Sequence, residues 1–258
     1  MVADDFSSEA ITSGLETRFI GQRVIYQPKL ASTMEAAKAE SRRGAPEGTV
    51  VIAGEQTRGR GRMERIWLSP RGGVYLSIIL YPTRDFLSSL IMVASLAVVH
   101  SIKAVTGLQS QIKWPNDVLI GEKKVCGILI ESSLQGSAVN YAVVGIGINA
   151  NLKTADLVDV TLAATSLSGE LGGEVSRLEL VRRLFSEFER LYLSLPGETV
   201  YQEWRNSLVT LGRKVCARSG SAVYEGIAES VVRDGSLLLR RPDGSLIPVS
   251  AGDVTLRD

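Results

Sequence analysis

The sequence predicts an α+β protein: a mixed, mostly antiparallel sheet flanked by helices, followed by a small C-terminal β-barrel. Three observations carry this. Four β-rich runs between residues 111 and 148 follow one another with short connections, whereas parallel neighbours need a crossover of a dozen or more residues. Two apolar stripes at helical spacing, Leu87 to Val105 and Leu178 to Tyr192, lie on either side of those runs. Beyond Leu211 short β-rich runs are punctuated by Ser219-Gly220, Asp234-Gly235 and Asp243-Gly244, the texture of a barrel of hairpins. The expected organisation is an N-terminal tail over 1–17, a large domain over 18–209 and the barrel over 210–258.

In chain order, Phe19 to Tyr26 reads as a first strand. Ser32-Thr33-Met34-Glu35 has the capping-box pattern, and a helix continues from Glu35 to Arg43 until Gly44 to Gly48, with Pro46, ends it. Val50 to Gly54 is a strand leading into a loop of four arginines and three glycines, Gly54 to Trp67, and Val74 to Leu80 is the strand after it. Asp85 is placed to cap the next helix, and Gly107 suits its C-terminus. Positions off its stripe are also apolar, so this helix is expected to be buried on more than one side; His100, the only histidine, reads as a packed residue within it. Gln111 to Trp114, Val118 to Ile120, Val125 to Glu131 and Val139 to Ile148 are the four strands, with a turn at Gly121 to Lys123. A polar, Gly-rich stretch runs from Asn149 to Val175. Ser176-Arg177-Leu178-Glu179 opens a second capped helix, stopped by Pro196-Gly197, and a shorter helix runs from Glu198 to Leu208.

Composition narrows the function. With 258 residues and a net charge of +1, the chain can bury a large core and has no global field drawing it to nucleic acid or acidic membranes. Two distant cysteines, Cys126 and Cys216, make neither a disulfide framework nor a metal-ligand pair and fit a reducing cytosol. The first thirteen residues lack an apolar signal core, and the uncharged, largely apolar stretch Leu87 to Ile102 is short of a bilayer span.

The arginine–glycine loop has two readings: a basic surface connector, or an anion-binding flap that is ordered only around a ligand. Lys113-Trp114-Pro115-Asn116-Asp117 is a proline turn, but turn chemistry leaves its lysine and tryptophan unexplained. Lys124 enters a strand that continues to Ile130 and can project onto a sheet face, while Cys126 beside it reads as a small buried hydrophobe. Gly145-Ile-Gly147-Ile-Asn149-Ala150 fits the dinucleotide fingerprint, but no helical stripe follows it and the strands before it read as antiparallel, so a nicotinamide site is disfavoured. There is no P-loop lysine motif.

Taken together, Ser32-Thr33-Met34, Gln56 with Gly59-Arg60-Gly61-Arg62 and Trp67, Lys113 to Asp117, Lys124 to Glu131, and Gly145-x-Gly147-Ile-Asn149 resemble, in order, the motif blocks of biotin protein ligases. The likeness runs from about Phe19 to the C-terminus. It implies the biotin/lipoate ligase-like, class II synthetase-like fold with an SH3-like end. It implies formation of biotinyl-5′-adenylate from biotin and ATP with Mg²⁺, then transfer of biotin to a lysine of a biotin carboxyl carrier domain. By the same resemblance Lys124, Arg60, Arg62, Lys113 and Asp117 carry the chemistry. Ser32, Thr33, Gln56, Gly59, Arg60, Lys124 and Gly127 receive biotin. Arg62, Trp67, Lys113, Asn116, Asn149 and Arg257 receive ATP, and Asp117 is the metal candidate. Fixed cations suit this reaction, because a carboxylate must approach a polyphosphate. Fewer than about twenty residues precede the first strand, too few for the winged-helix domain some members carry. A monofunctional, cytoplasmic enzyme without DNA or membrane partners is therefore expected; a homodimer is compatible with it. Met63 and Glu64 depart from the family, which often has a small or basic residue there. Two rivals stand beside this reading. A lipoate ligase shares the chemistry, but lipoate has no ureido ring to satisfy Ser32, Thr33 and Gln56. A sensor without turnover needs no cation at the attacking carboxylate, so Lys113 and Lys124 argue against it.

Overall fold

A computed structural model of the chain describes residues 6–153, 164–219, 222–250 and 252–257. The chain runs α1 (Ser8–Thr12), β1 (Val24–Gln27), α2 (Thr33–Arg42), β2 (Val50–Ala53), β3 (Val74–Leu80), α3 (Leu90–Thr106), β4 (Gln111–Lys113), β5 (Asp117–Ile120), β6 (Lys123–Gln135), β7 (Ala138–Ile148), α4 (Leu167–Leu171), α5 (Arg177–Tyr192) and α6 (Glu198–Asn206). Five strands follow: β8 (Lys214–Ser219), β9 (Ala222–Val231), β10 (Leu237–Arg240), β11 (Leu246–Val249) and β12 (Asp253–Arg257).

The large sheet has the order β1-β2-β3-β7-β6-β5-β4. Only β1 and β2 pair parallel; every other neighbour is antiparallel, as the short connections from β4 to β7 require for those four strands. Period-two alternation divides the sheet between two cores. Val50, Ile52, Ile78 and Val144 face one way, into the cluster formed with α3 and α5. Val51, Ile79 and Val143 face the other way, beneath Met34 and Ala37 of α2. As its sequence implies, α3 is buried on more than one side, and Gly107 ends it in the left-handed conformation.

The small sheet has the order β11-β10-β9-β8-β12 and is antiparallel throughout. Among the described residues no pairing joins β11 to β12, so the expected barrel is an open five-stranded sheet.

Three local expectations are corrected. The first strand is short, because residues 18–23 form turns held by Glu189: its buried carboxylate accepts from the backbone N–H groups of Arg18, Phe19 and Ile20 at 2.6, 2.8 and 3.0 Å. Glu189→Ala is expected to cost roughly 2–4 kcal/mol, since it orphans a set of charge-assisted bonds; urea unfolding with an unchanged slope would read it, and a midpoint equal to wild type would refute it. Secondly, residues 6–13, expected as a tail, are docked. Ile11 and Phe6 are buried, Phe6 lies edge-on to Tyr26 and under Arg177, and Arg182 donates to the carbonyls of Ala10, Ile11 and Ser13. Thirdly, His100 is not merely packed: its ring nitrogens lie 3.2 Å from Glu187 and 2.8 Å from Glu203, across α3, α5 and α6. The reading that disfavoured a dinucleotide site holds, since Gly145 and Gly147 lie inside β7 and not at a strand-to-helix turn. Burial pushes the Glu187 carboxyl up, but hydrogen bonds and charge from Arg190 and its neighbours outweigh this and hold it low. Among the described residues no helix is long and apolar enough to cross a membrane.

Candidate active site

A cavity of about 930 Å³ opens on the α2 face of the large sheet and reaches the edge of the small one. Its floor is bare by design of the strands. Gly127 on β6 pairs directly with Gly147 on β7, and both project to this face. The Trp67 indole lies across them: a Cβ on Gly147 would stand 2.4 Å from its Nε1, and one on Gly127 2.9 Å from its Cζ3. A Cβ on Gly145 would strike the Met34 sulfur at 2.6 Å. The glycines of the Gly-x-Gly motif therefore make room for side chains from the loop and from α2.

Lys124 reaches the same face through a β-bulge. Register shifts between Val118 and Leu119, so Val125 and Cys126 both enter the core while Lys124 turns to the cavity. Its ammonium stands 2.8 Å from Asp117 Oδ1 and 5.2 Å from the centre of the Trp67 ring. The contact with Asp117 is off-axis for hydrogen bonding, so it is electrostatic, and that oxygen has no aligned donor. Cys126 is wholly buried, which pushes its thiol up and leaves it inert.

Lys113, at the end of β4, is 5% exposed, and among the described residues its ammonium has no hydrogen-bond or ion-pair partner. Burial pushes its pKa down, and the charge of Asp117 only partly opposes this. Asn116, in the turn between β4 and β5, donates to the Ile128 carbonyl at 2.8 Å and accepts from Arg62 at 3.0 Å. Burial also pushes the Arg62 guanidinium down, against the charges of Asp253 and Asp117.

The other end of the cavity is neutral and polar. Gln56 Oε1 accepts from the backbone N–H and hydroxyl of Thr33 at 2.8 and 3.1 Å, and its Nε2 donates to Ser69 at 2.9 Å. Ser32 occupies the cap position of α2, but its hydroxyl makes no capping bond; it is 4% exposed and unpaired. The capping box expected at Ser32 is thus not made, whereas the Ser176 hydroxyl does cap its helix, accepting from Glu179 N–H at 3.2 Å.

The structure brings Ser32, Thr33, Gln56, Arg60, Arg62, Trp67, Lys113, Asn116, Asp117, Lys124, Gly127 and Asn149 to one cavity. Within this set, Arg60 lines the wall, but its guanidinium is engaged by Glu35 and Glu131 at 2.6 and 3.4 Å, not free to meet an anion. Asn149 donates to the Thr165 carbonyl at 2.9 Å and so joins β7 to the segment entering α4. Gly59 lies behind the wall, where a Cβ would stand 2.3 Å from the Trp67 carbonyl. Arg257 ends β12, and its side chain lies outside the described residues. Sequence reasoning missed Asp253, which pairs with Arg65 across the cavity mouth, and Glu35 and Glu131; no local spacing signals these long-range partners. It also missed that Trp114 binds the small sheet, donating from its backbone to Thr210 at 2.9 Å and from its indole to the Gly235 carbonyl at 2.8 Å.

A cavity with a neutral polar end and a cationic end suits an enzyme that brings a carboxylate to a nucleotide. Residues 26–149 match the biotin/lipoate A/B protein ligase family, and residues 210–257 match the biotin protein ligase C-terminal domain. A bifunctional ligase/repressor of Bacillus spizizenii is 37% identical over 245 residues, covering 92% of this chain and 75% of that protein. A biotin–[acetyl-CoA-carboxylase] ligase of Paracoccus denitrificans is 36% identical over 210 residues, covering 78% and 88%. The solved structure of a biotin protein ligase from Aquifex aeolicus in complex with biotin and ATP superposes with a TM-score of 0.74 at 28% identity, covering 92% of this chain and 99% of that one. The chain belongs to the biotin protein ligase family.

Proposed function

We propose that this enzyme activates biotin as biotinyl-5′-adenylate with release of pyrophosphate, then passes biotin to a lysine of a biotin carboxyl carrier domain. The observation that carries the reading is Lys113, a 5% exposed residue that lines the cavity with Lys124 and has no ion-pair partner among the described residues, while the far end of the cavity is neutral and polar. A buried cation without a partner costs stability unless an anion arrives to meet it.

At the neutral end, the free Ser32 hydroxyl and the remaining N–H of Gln56 meet the ureido ring. The biotin carboxylate then lies toward Lys124, which Asp117 and Trp67 hold in place. Lys113 and Arg62 receive the phosphates, with Asn116 orienting Arg62. Trp67 offers its face to the adenylate, and Asn149 shapes the same wall. The attacking carboxylate supplies its own electron pair and pyrophosphate leaves, so the protein needs fixed charge and no covalent nucleophile.

The donor set also bears on Mg²⁺. Among the described residues no cluster of three or more His, Cys, Asp or Glu side chains could hold a metal ion. Asp117 Oδ1 is paired with Lys124 at 2.8 Å, so the described residues offer an ion one carboxylate, shared with that ammonium, and its other ligands would come from phosphates and water. Asp117 is the residue that would hold it, and the bound ion would neutralise phosphate charge. Two buried free cysteines support a cytoplasmic setting.

Exchange of labelled pyrophosphate into ATP tests the reading: biotin should support it, and lipoate should not. Equal exchange with both acids would remove the biotin assignment. Gln56→Ala is expected to weaken biotin about tenfold to a hundredfold, by leaving polar groups unpaired, and to leave ATP within about threefold. Calorimetry showing the larger loss for ATP would move Gln56 out of the biotin end.

A further inference from the structure

The arginine loop is closed in a strained form. Gly61 N–H bonds to the Arg65 carbonyl at 2.7 Å, Arg60 bridges Ile66, and the turn between them places Met63 and Glu64 at φ 51° and 58°. Left-handed backbone at two residues that are not glycine is costly, so the closed turn needs anchors. Each of three arginines has one in a different element: Arg60 on α2 and β6, Arg62 on Asn116, Arg65 on Asp253 of β12.

The Arg60 anchor is a ring of four charges. Glu35 and Glu131 each contact both Arg60 and Lys38. Lys38 and Glu131 are its more buried half, Glu35 and Arg60 its outer half. The hydrogen bond from Lys38 leads the effects that hold the Glu35 carboxyl low; burial works against the Lys38 ammonium, but the two carboxylates raise it overall. Two cations therefore share, and compete for, the same two carboxylates.

We infer that Glu131 and Glu35 are positioning residues that latch the loop over the biotin end of the cavity through Arg60, and that Lys38 sets the strength of that latch. The link to biotin rests on the function proposed above; the latch itself does not. Competition gives the two variants opposite signs. In Glu131→Gln, Lys38 and Arg60 contend for Glu35 alone, and the loop loosens. In Lys38→Met, Arg60 has both carboxylates to itself, and the loop tightens. Simple destabilisation of the fold would move both variants the same way.

The test is limited trypsin digestion of the ligand-free full chain, following cleavage at Arg58, Arg60, Arg62 and Arg65. Glu131→Gln is expected to be cut about fivefold faster than wild type and Lys38→Met about twofold slower, as suits partly exposed ion pairs. Pyrophosphate exchange should show the biotin KM of Glu131→Gln raised about fivefold with kcat within about twofold. Unchanged cleavage in Glu131→Gln, or faster cleavage in Lys38→Met, overturns the latch. A fall in kcat at constant KM also overturns it, by moving Glu131 into the chemistry. Loss of the ligase reading would register separately, as no biotin-dependent exchange by the wild-type protein.

Discussion

Lys124→Ala is expected to lower biotin-dependent pyrophosphate exchange about a thousandfold while changing biotin affinity less than about tenfold. The ammonium is held between the Asp117 carboxylate and the Trp67 face, on a floor that Gly127 and Gly147 leave bare. It is thus preorganised, and its charge is needed most where carboxylate and phosphate approach. The neutral end, with Ser32, Thr33 and Gln56, is untouched by the change, so on the proposed reading biotin keeps its polar contacts there. Exchange near the wild-type rate would remove Lys124 from the first step, and a parallel collapse of biotin binding would make it a binding residue only.

Lys113→Met is expected to have two effects of opposite benefit: exchange falls about a hundredfold or more, and the fold gains about 1 kcal/mol or more. Burial depresses the Lys113 pKa in the folded chain, so folding disfavours its charged form. At neutral pH the lysine carries its proton in both states and the penalty is fully present. The penalty begins to fade as pH rises through the depressed folded value and is gone above the ordinary value of about 10.4. The variant's advantage in thermal or urea unfolding should therefore be largest at neutral pH and shrink in alkali. Asp117 keeps Lys124 and Asp253 keeps Arg65, so removing Lys113 does not orphan either carboxylate. A variant less stable than wild type at pH 7 would mean that the lysine is a structural cation.

Sequence patterns governed by local physics were readable. Val74 to Leu80 is β3 as its apolar run implies, the Ser176 hydroxyl caps α5, and Gly107 ends α3. Expectations failed where tertiary partners override local ones. Ser32 has the right spacing for a capping box, yet its hydroxyl is left free, and that freedom supports the binding role. The strand expected from Phe19 is cut short by a carboxylate 170 residues away in the chain. The site residues were named by motif, but the bulge that turns Lys124 to the cavity is a register shift, which a one-dimensional pattern cannot display. Nor could the arginines reveal that two of them spend their charge on Glu35, Glu131 and Asp253.

Trp114 ties the small sheet to the strand end that presents Lys113, and Ile112 exchanges backbone bonds with residues 207 and 209 on the linking segment. Any load that parts the two sheets is therefore borne on both flanks of that single ammonium. On the proposed reading, a chain cut just after residue 209 loses the Thr210 and Gly235 bonds beside Lys113 and so weakens the phosphate end, while the polar end keeps its own bonds between Thr33 and Gln56.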